Sequence, residues 1–232
     1  HAETETAPFF QYVAFTAPHW PLHARRETID RYADTFSSGW DALRPEKYRR
    51  MVDIGIIEDR WSLSERGEGI PAWDELTEDT RAEYAHRMAV YAAQIDEMDQ
   101  GVGRIVDALR DTGQLENTLI LFMSDNGGCA EEAHRGGYEH WREIGEAHTF
   151  EAYGKPWANY SNTPFREYKH WVHEGGIATP LIAHWPEGIE RPGTICHQPG
   201  HLIDIIPTCI ELSGAAYPPA EADVAAGAHT GS

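Results

Sequence analysis

Leu119-Ile120-Leu121-Phe122-Met123-Ser124-Asp125-Asn126-Gly127-Gly128 sets an apolar run almost directly before a carboxylate, a carboxamide and two glycines. The run has the length and the bounding of a strand buried on both faces, as in a parallel sheet. In open α/β sheets ligands collect outside the carboxyl ends of strands. Asp125 and Asn126 stand at that end and offer adjacent hard oxygen donors, which suit Ca²⁺ or Mg²⁺. The glycines let the backbone turn sharply beside such an ion. The same four residues also make an ordinary turn, and the rest of the chain has to separate the two readings.

The segment before the run supports a layered α/β domain. From Arg87 to Leu109 apolar groups recur at Met88, Tyr91, Ala92, Ile95, Met98, Val102, Ile105, Val106 and Leu109. Those spacings of three and four make one helical stripe. Thr112-Gly113 supplies the stop, and Gln114–Asn117 turns the chain into the strand. Phe9–Phe15 and Thr179–Trp185 read as further strands, the first of them buried. Ile203–Leu212 reads as a short helix over the core. Residues 24–75 carry short helical pieces and loops. Residues 129–168 show no periodicity and read as one long functional loop, rich in histidine and aromatic residues.

Composition narrows the partners. The 232 residues hold 19 Lys+Arg against 38 Asp+Glu, a formal charge of −19. Nucleic acid is excluded as a partner, because a phosphate backbone needs a basic footprint. No run of 18 apolar residues exists, so no segment is expected to span a membrane. The acidic stretches Glu75–Glu83 and Glu131–Glu151 read as solvated faces. Cys129, Cys196 and Cys209 lack the paired spacing of a zinc site, and one disulfide is open to them.

Two further residues carry chemical potential. His19 lies between prolines in Ala17-Pro18-His19-Trp20-Pro21, just past a strand end. A histidine held there can give a proton to a leaving oxygen near neutral pH, or simply pack against Trp20. Lys169, in Tyr168-Lys169-His170-Trp171-Val172-His173, offers a compact ammonium to an anionic oxygen, or to solvent.

Taken in order, Ala14–Leu22, Tyr91–Ile105, Ser124–Gly128, Ser161–Arg166, Lys169–Gly176 and His201–Thr208 resemble the type I sulfatases of the alkaline-phosphatase-like superfamily. The arylsulfatase branch is the nearest in appearance. The resemblance implies an α/β sandwich of helices around a large mixed β-sheet, present here as a partial domain over residues 1–214 with an Ala/Gly/Pro-rich tail at 215–232. It implies metal-dependent hydrolysis of a sulfate ester, with Asp125 and Asn126 as metal ligands for Ca²⁺, or alternatively Mg²⁺. His19 and Lys169 take the places of residues that contact the sulfate, His19 also protonating the leaving alcohol. The substrate is then a small-molecule or carbohydrate sulfate ester, and the location periplasmic or secreted. The aromatic stretch 129–168 is expected to set specificity, with Trp141 or Trp157 stacking on a sulfated sugar.

The sequence also departs from that family. Its nucleophile is a formylglycine made in a Cys/Ser-x-Pro-x-Arg string. Asn162-Thr163-Pro164-Phe165-Arg166 keeps the Pro and Arg but has Asn at the reactive place. The family's first metal aspartates and its upstream Lys/His pair are missing as well. The expectation is a later portion of a catalytic domain, with the formylglycine upstream and no turnover by residues 1–232 alone. The alternatives are a phosphomonoesterase or phosphonate hydrolase of the same superfamily, and a non-catalytic sulfate- or glycan-binding relative.

Overall fold

The structure is a computed structural model and describes residues 8–217. Backbone contacts divide it into two units. The larger covers residues 12–195. The smaller joins residues 8–11 to 196–217 and carries helix α6, Ile205–Ser213, closed by Gly214 in the left-handed region at φ 69°. The short helix expected near Ile203–Leu212 is therefore present, though none of its side chains is buried.

In the larger unit the order is α1 (Arg26–Asp30), α2 (Gly39–Asp53), α3 (Glu78–Asp111), β1 (Ile120–Met123), α4 (Gly154–Ser161), α5 (Glu174–Ile177) and β2 (Leu181–His184). The long helix α3 starts nine residues earlier than the apolar stripe suggests. Thr77 explains the start: its hydroxyl accepts the Thr80 N–H at 3.2 Å, a side-chain N-cap. Gly113, at φ 71°, ends it as expected. Of the stripe, Met88 and Leu109 are buried, whereas the fully buried residues of α3, Ala89, Val90 and Ala93, lie beside it. Ile95 and Ile105 remain exposed.

The core is aromatic. Trp40 meets Trp73, Tyr84 and Trp157 edge-on, with ring centroids 4.7, 5.2 and 5.4 Å apart. That geometry sets the positive ring edge against the negative face. Trp157 is fully buried and donates its indole N–H to the Tyr84 carbonyl at 2.7 Å. It therefore cannot stack on a sugar, and that expectation is corrected. A period search misses it because α4 supplies only eight residues inside a segment that otherwise reads as loop.

The sheet also differs from expectation. β1 pairs β2 in antiparallel register, Ile120 opposite His184 and Met123 opposite Leu181. It is a two-stranded ribbon, not a doubly covered parallel strand, and Phe122 is 38% exposed. Phe9–Phe15 forms no strand among the described residues, and Phe10 and Tyr12 face outward. An apolar run becomes a strand only when a neighbour satisfies its backbone groups. Among the described residues no strand ladder includes this run. No helix among the described residues is long and apolar enough to cross a membrane.

Candidate functional site

The opening motif does sit at the carboxyl end of β1. Its loop is held from three sides. The Thr179 hydroxyl donates to the Ser124 carbonyl at 2.9 Å, and the Gly127 N–H to the Gly176 carbonyl at 2.9 Å. The Gly128 N–H donates to Asn162 Oδ1 at 2.7 Å. Gly127 has to be glycine, since a Cβ there would lie 1.8 Å from the Gly175 carbonyl oxygen. Asn126 turns its amide to the Gly127 carbonyl at 2.9 Å, which leaves its Oδ1 unpartnered among the described residues. The Asp125 carboxylate is exposed, likewise without a protein partner there. Two hard oxygens are thus open for a cation. They fall short of the six to eight that Ca²⁺ takes, and no third His, Cys or carboxylate clusters with Asp125 among the described residues.

Asn162 is the joint between this loop and the lysine. It is 9% exposed. While its oxygen accepts from Gly128, its Nδ2 donates to the Glu167 carbonyl at 2.9 Å. Glu167 and His170 both adopt the left-handed region, at φ 65° and 80°, where a Cβ is unfavourable. They bracket Lys169, whose own N–H donates to the Gly128 carbonyl at 3.1 Å. Behind Asn162 the carboxyl end of α4 is pinned by two cations. Arg44 donates to the carbonyls of Ser64, at 2.5 Å, and Asn159, at 3.3 Å. Lys47 donates to those of Tyr160 and Ser161, at 3.2 and 2.9 Å. Burial pushes Lys47 down to about 8.

The two residues read as sulfate contacts meet. Lys169 Nζ lies 3.1 Å from His19 Nε2, across 150 residues of sequence. His19 Nδ1 lies 2.8 Å from the Trp20 carbonyl, which can only accept. This assigns the proton to Nδ1 and leaves the Nε2 lone pair facing the ammonium. His19 also packs on Trp20, centroids 4.8 Å apart, so the packing and chemical readings hold together.

Glu131 completes the group, although its place in an acidic run suggested a solvated face. It accepts from His170 Nε2 at 2.9 Å, Trp20 Nε1 at 2.9 Å and Cys129 Sγ at 3.2 Å. The His170 bond, then the Cys129 bond, hold its carboxyl down to about 2, against the ordinary 4.5. Cys129 is half-buried, and burial pushes its thiol up. All three cysteines are free thiols.

A second acidic residue, Glu151, is fully buried. It takes Arg87 Nη1 at 2.8 Å, His134 Nδ1 at 2.5 Å and the Gly136 N–H at 3.1 Å. The segment carrying Glu131 is thereby tied to α3. No spacing rule marks Glu131, Glu151 or Asn162, because their partners lie far away in the chain.

The β1 loop with its open oxygens is thus joined, through the Gly128–Lys169 and Gly128–Asn162 bonds, to the segment that carries the histidine–lysine pair. The sulfatase family profile matches residues 2–215, and the chain belongs to the sulfatase family. It is 36% identical over 222 residues to an uncharacterized sulfatase of Schizosaccharomyces pombe, covering 90% of this chain and 40% of that one. It is 34% identical over 223 residues to an arylsulfatase of Klebsiella aerogenes, covering 92% and 48%. The chain thus spans less than half the length of these relatives. Among solved structures, Ps i-CgsB in complex with k-i-k-neocarrahexaose aligns over 94% of this chain and 32% of its own, with TM-score 0.54 and 25% identity.

Proposed function

We propose that the full-length protein hydrolyses a sulfate ester, with His19 and Lys169 contacting the sulfuryl group. The observation that carries this reading is the 3.1 Å approach of Lys169 to His19, beside the loop that holds Asp125 and Asn126. A sulfuryl group in transfer concentrates negative charge on its oxygens, and a fixed ammonium stabilises that charge. Lys169 exchanges its bond to His19 Nε2 for one to a sulfate oxygen. His19, still oriented by its Nδ1–H bond to Trp20, then takes a proton from solvent on the freed Nε2 and gives that proton to the leaving oxygen.

Asp125 and Asn126 would hold a divalent cation, Ca²⁺ or Mg²⁺, through the carboxylate and Oδ1. Such an ion supplies further positive charge to the sulfuryl oxygens. The formylglycine nucleophile expected of the family is not supplied by these residues. Asn162, at the reactive place of the Pro-x-Arg string, is a buried bridge whose carboxamide is committed to Gly128 and Glu167.

The similarity to an arylsulfatase and to a protein that binds neocarrahexaose favours an aryl or carbohydrate sulfate as substrate, and a periplasmic or secreted location accompanies that reading. The large mixed sheet belongs to it too: Phe122, Leu181 and Ile182 are exposed apolar residues on β1 and β2 that further strands or helices would cover.

The test compares aryl sulfate and aryl phosphate hydrolysis by the full-length protein. Sulfate turnover that falls at least a hundredfold in Lys169→Ala and His19→Ala supports the reading. Phosphate turnover without sulfate turnover, or wild-type rates in both variants, overturns it.

A further inference from the structure

We propose that His19, Cys129 and Glu131 form a second metal site, distinct from Asp125 and Asn126, that takes a zinc-class ion and removes His19 from its place beside Lys169. One ligand atom from each lies within 4.8 Å of the others. Imidazole nitrogen, thiolate and carboxylate are the donors Zn²⁺ selects, at bond lengths of ~2.0–2.3 Å. On a tetrahedral ion of those bond lengths two ligands stand roughly 3.5 Å apart. Cys129 Sγ and Glu131 Oε2 are already 3.2 Å apart. The histidine has to close by about 1 Å, well within side-chain movement.

The surroundings of the three donors are those of a built site. Ligating histidines donate their other ring N–H to a carbonyl or carboxylate, which fixes tautomer and orientation. His19 does so through Nδ1 to the Trp20 carbonyl at 2.8 Å, and Nε2 carries the lone pair. Ligating carboxylates are hydrogen-bonded in turn. Glu131 is held by Trp20 Nε1 on one oxygen and by His170 on the other, both at 2.9 Å. The exposed His19 leaves a path for the ion. Glu131 and the thiolate of Cys129 balance two positive charges. Binding releases the Cys129 proton to solvent, and Lys169 gives up the Nε2 lone pair to the metal. An ion here therefore competes with the oxyanion contacts of the site.

Co²⁺ is the spectroscopic probe, added to the metal-free full-length protein. The expected result is a thiolate-to-cobalt charge-transfer band that saturates at one ion per chain and is displaced by Zn²⁺. The band disappears in Cys129→Ser, persists in Cys196→Ser and Cys209→Ser, and needs at least tenfold more Co²⁺ in Glu131→Gln. A second measurement uses the unaltered protein. Zn²⁺ should slow alkylation of Cys129 at least tenfold while leaving Cys196 and Cys209 unprotected. Absence of the band, its survival in Cys129→Ser, or alkylation of Cys129 at an unchanged rate overturns the proposal. None of these readouts depends on sulfate turnover.

Discussion

Replacing Asn162 by alanine separates the Asp125–Gly128 loop from the lysine loop in one step. The side chain makes two hydrogen bonds to backbone, 2.7 Å from the Gly128 N–H and 2.9 Å to the Glu167 carbonyl. Alanine leaves both groups without partners. A buried polar group stranded in this way costs about 1–3 kcal/mol. Gly128 and Glu167 are only half-buried, so water reaches them in part and the lower end applies. The expected loss is about 2–3 kcal/mol, visible as a lower urea midpoint at unchanged slope.

A second effect is local. The left-handed backbone of Glu167 costs about 1 kcal/mol, and Asn162 holds it. Once released, the turn relaxes and Lys169 loses its register on Gly128. The turnover of the full-length protein should then fall at least tenfold in kcat/KM, and Glu167→Gly in the same background should recover about 0.5–1 kcal/mol of stability. Asn162→Asp keeps the acceptor for Gly128 but loses the donor to Glu167, so it should not restore the parent. A change below about 0.5 kcal/mol in Asn162→Ala, or lost stability with unchanged kinetics, would refute the bridge.

Other consequences are simpler to measure. Glu151→Ala strands the Gly136 N–H and leaves Arg87 with Glu83 as its carboxylate partner, and should cost about 1–3 kcal/mol by urea denaturation, whereas Glu146→Ala, whose Arg26 pair is exposed, should cost less than about 1 kcal/mol. Trp157→Ala empties the aromatic core and should cost about 3–5 kcal/mol, with the surviving folded protein keeping its ester preference. Glu131 is held at about 2 when folded, so its links to Trp20 and His170 are complete above about pH 4.5 and weaken as pH falls toward 2. The Trp20 indole N–H resonance should move over that window, and a titration centred near 4.5 would contradict the contact.

The sequence by itself determined much of what is local. Ser124-Asp125-Asn126-Gly127-Gly128 follows a strand because an apolar run ending in turn formers leaves little else, and Gly127 answers a close backbone approach. Helix α3 and its Gly113 stop were legible because helical periodicity is a property of neighbouring residues, whereas the face it buries, at Ala89, Val90 and Ala93, was not. His19 and Lys169 were legible as separate candidates through the family strings around them. Their meeting at 3.1 Å was not, since 150 residues separate them and nothing in either string encodes a distance. The burial of Trp157 and Glu151 escaped for the same reason, as did the antiparallel pairing of β1 with β2. Burial and pairing are set by what folds against a segment, so only the tertiary structure decided them.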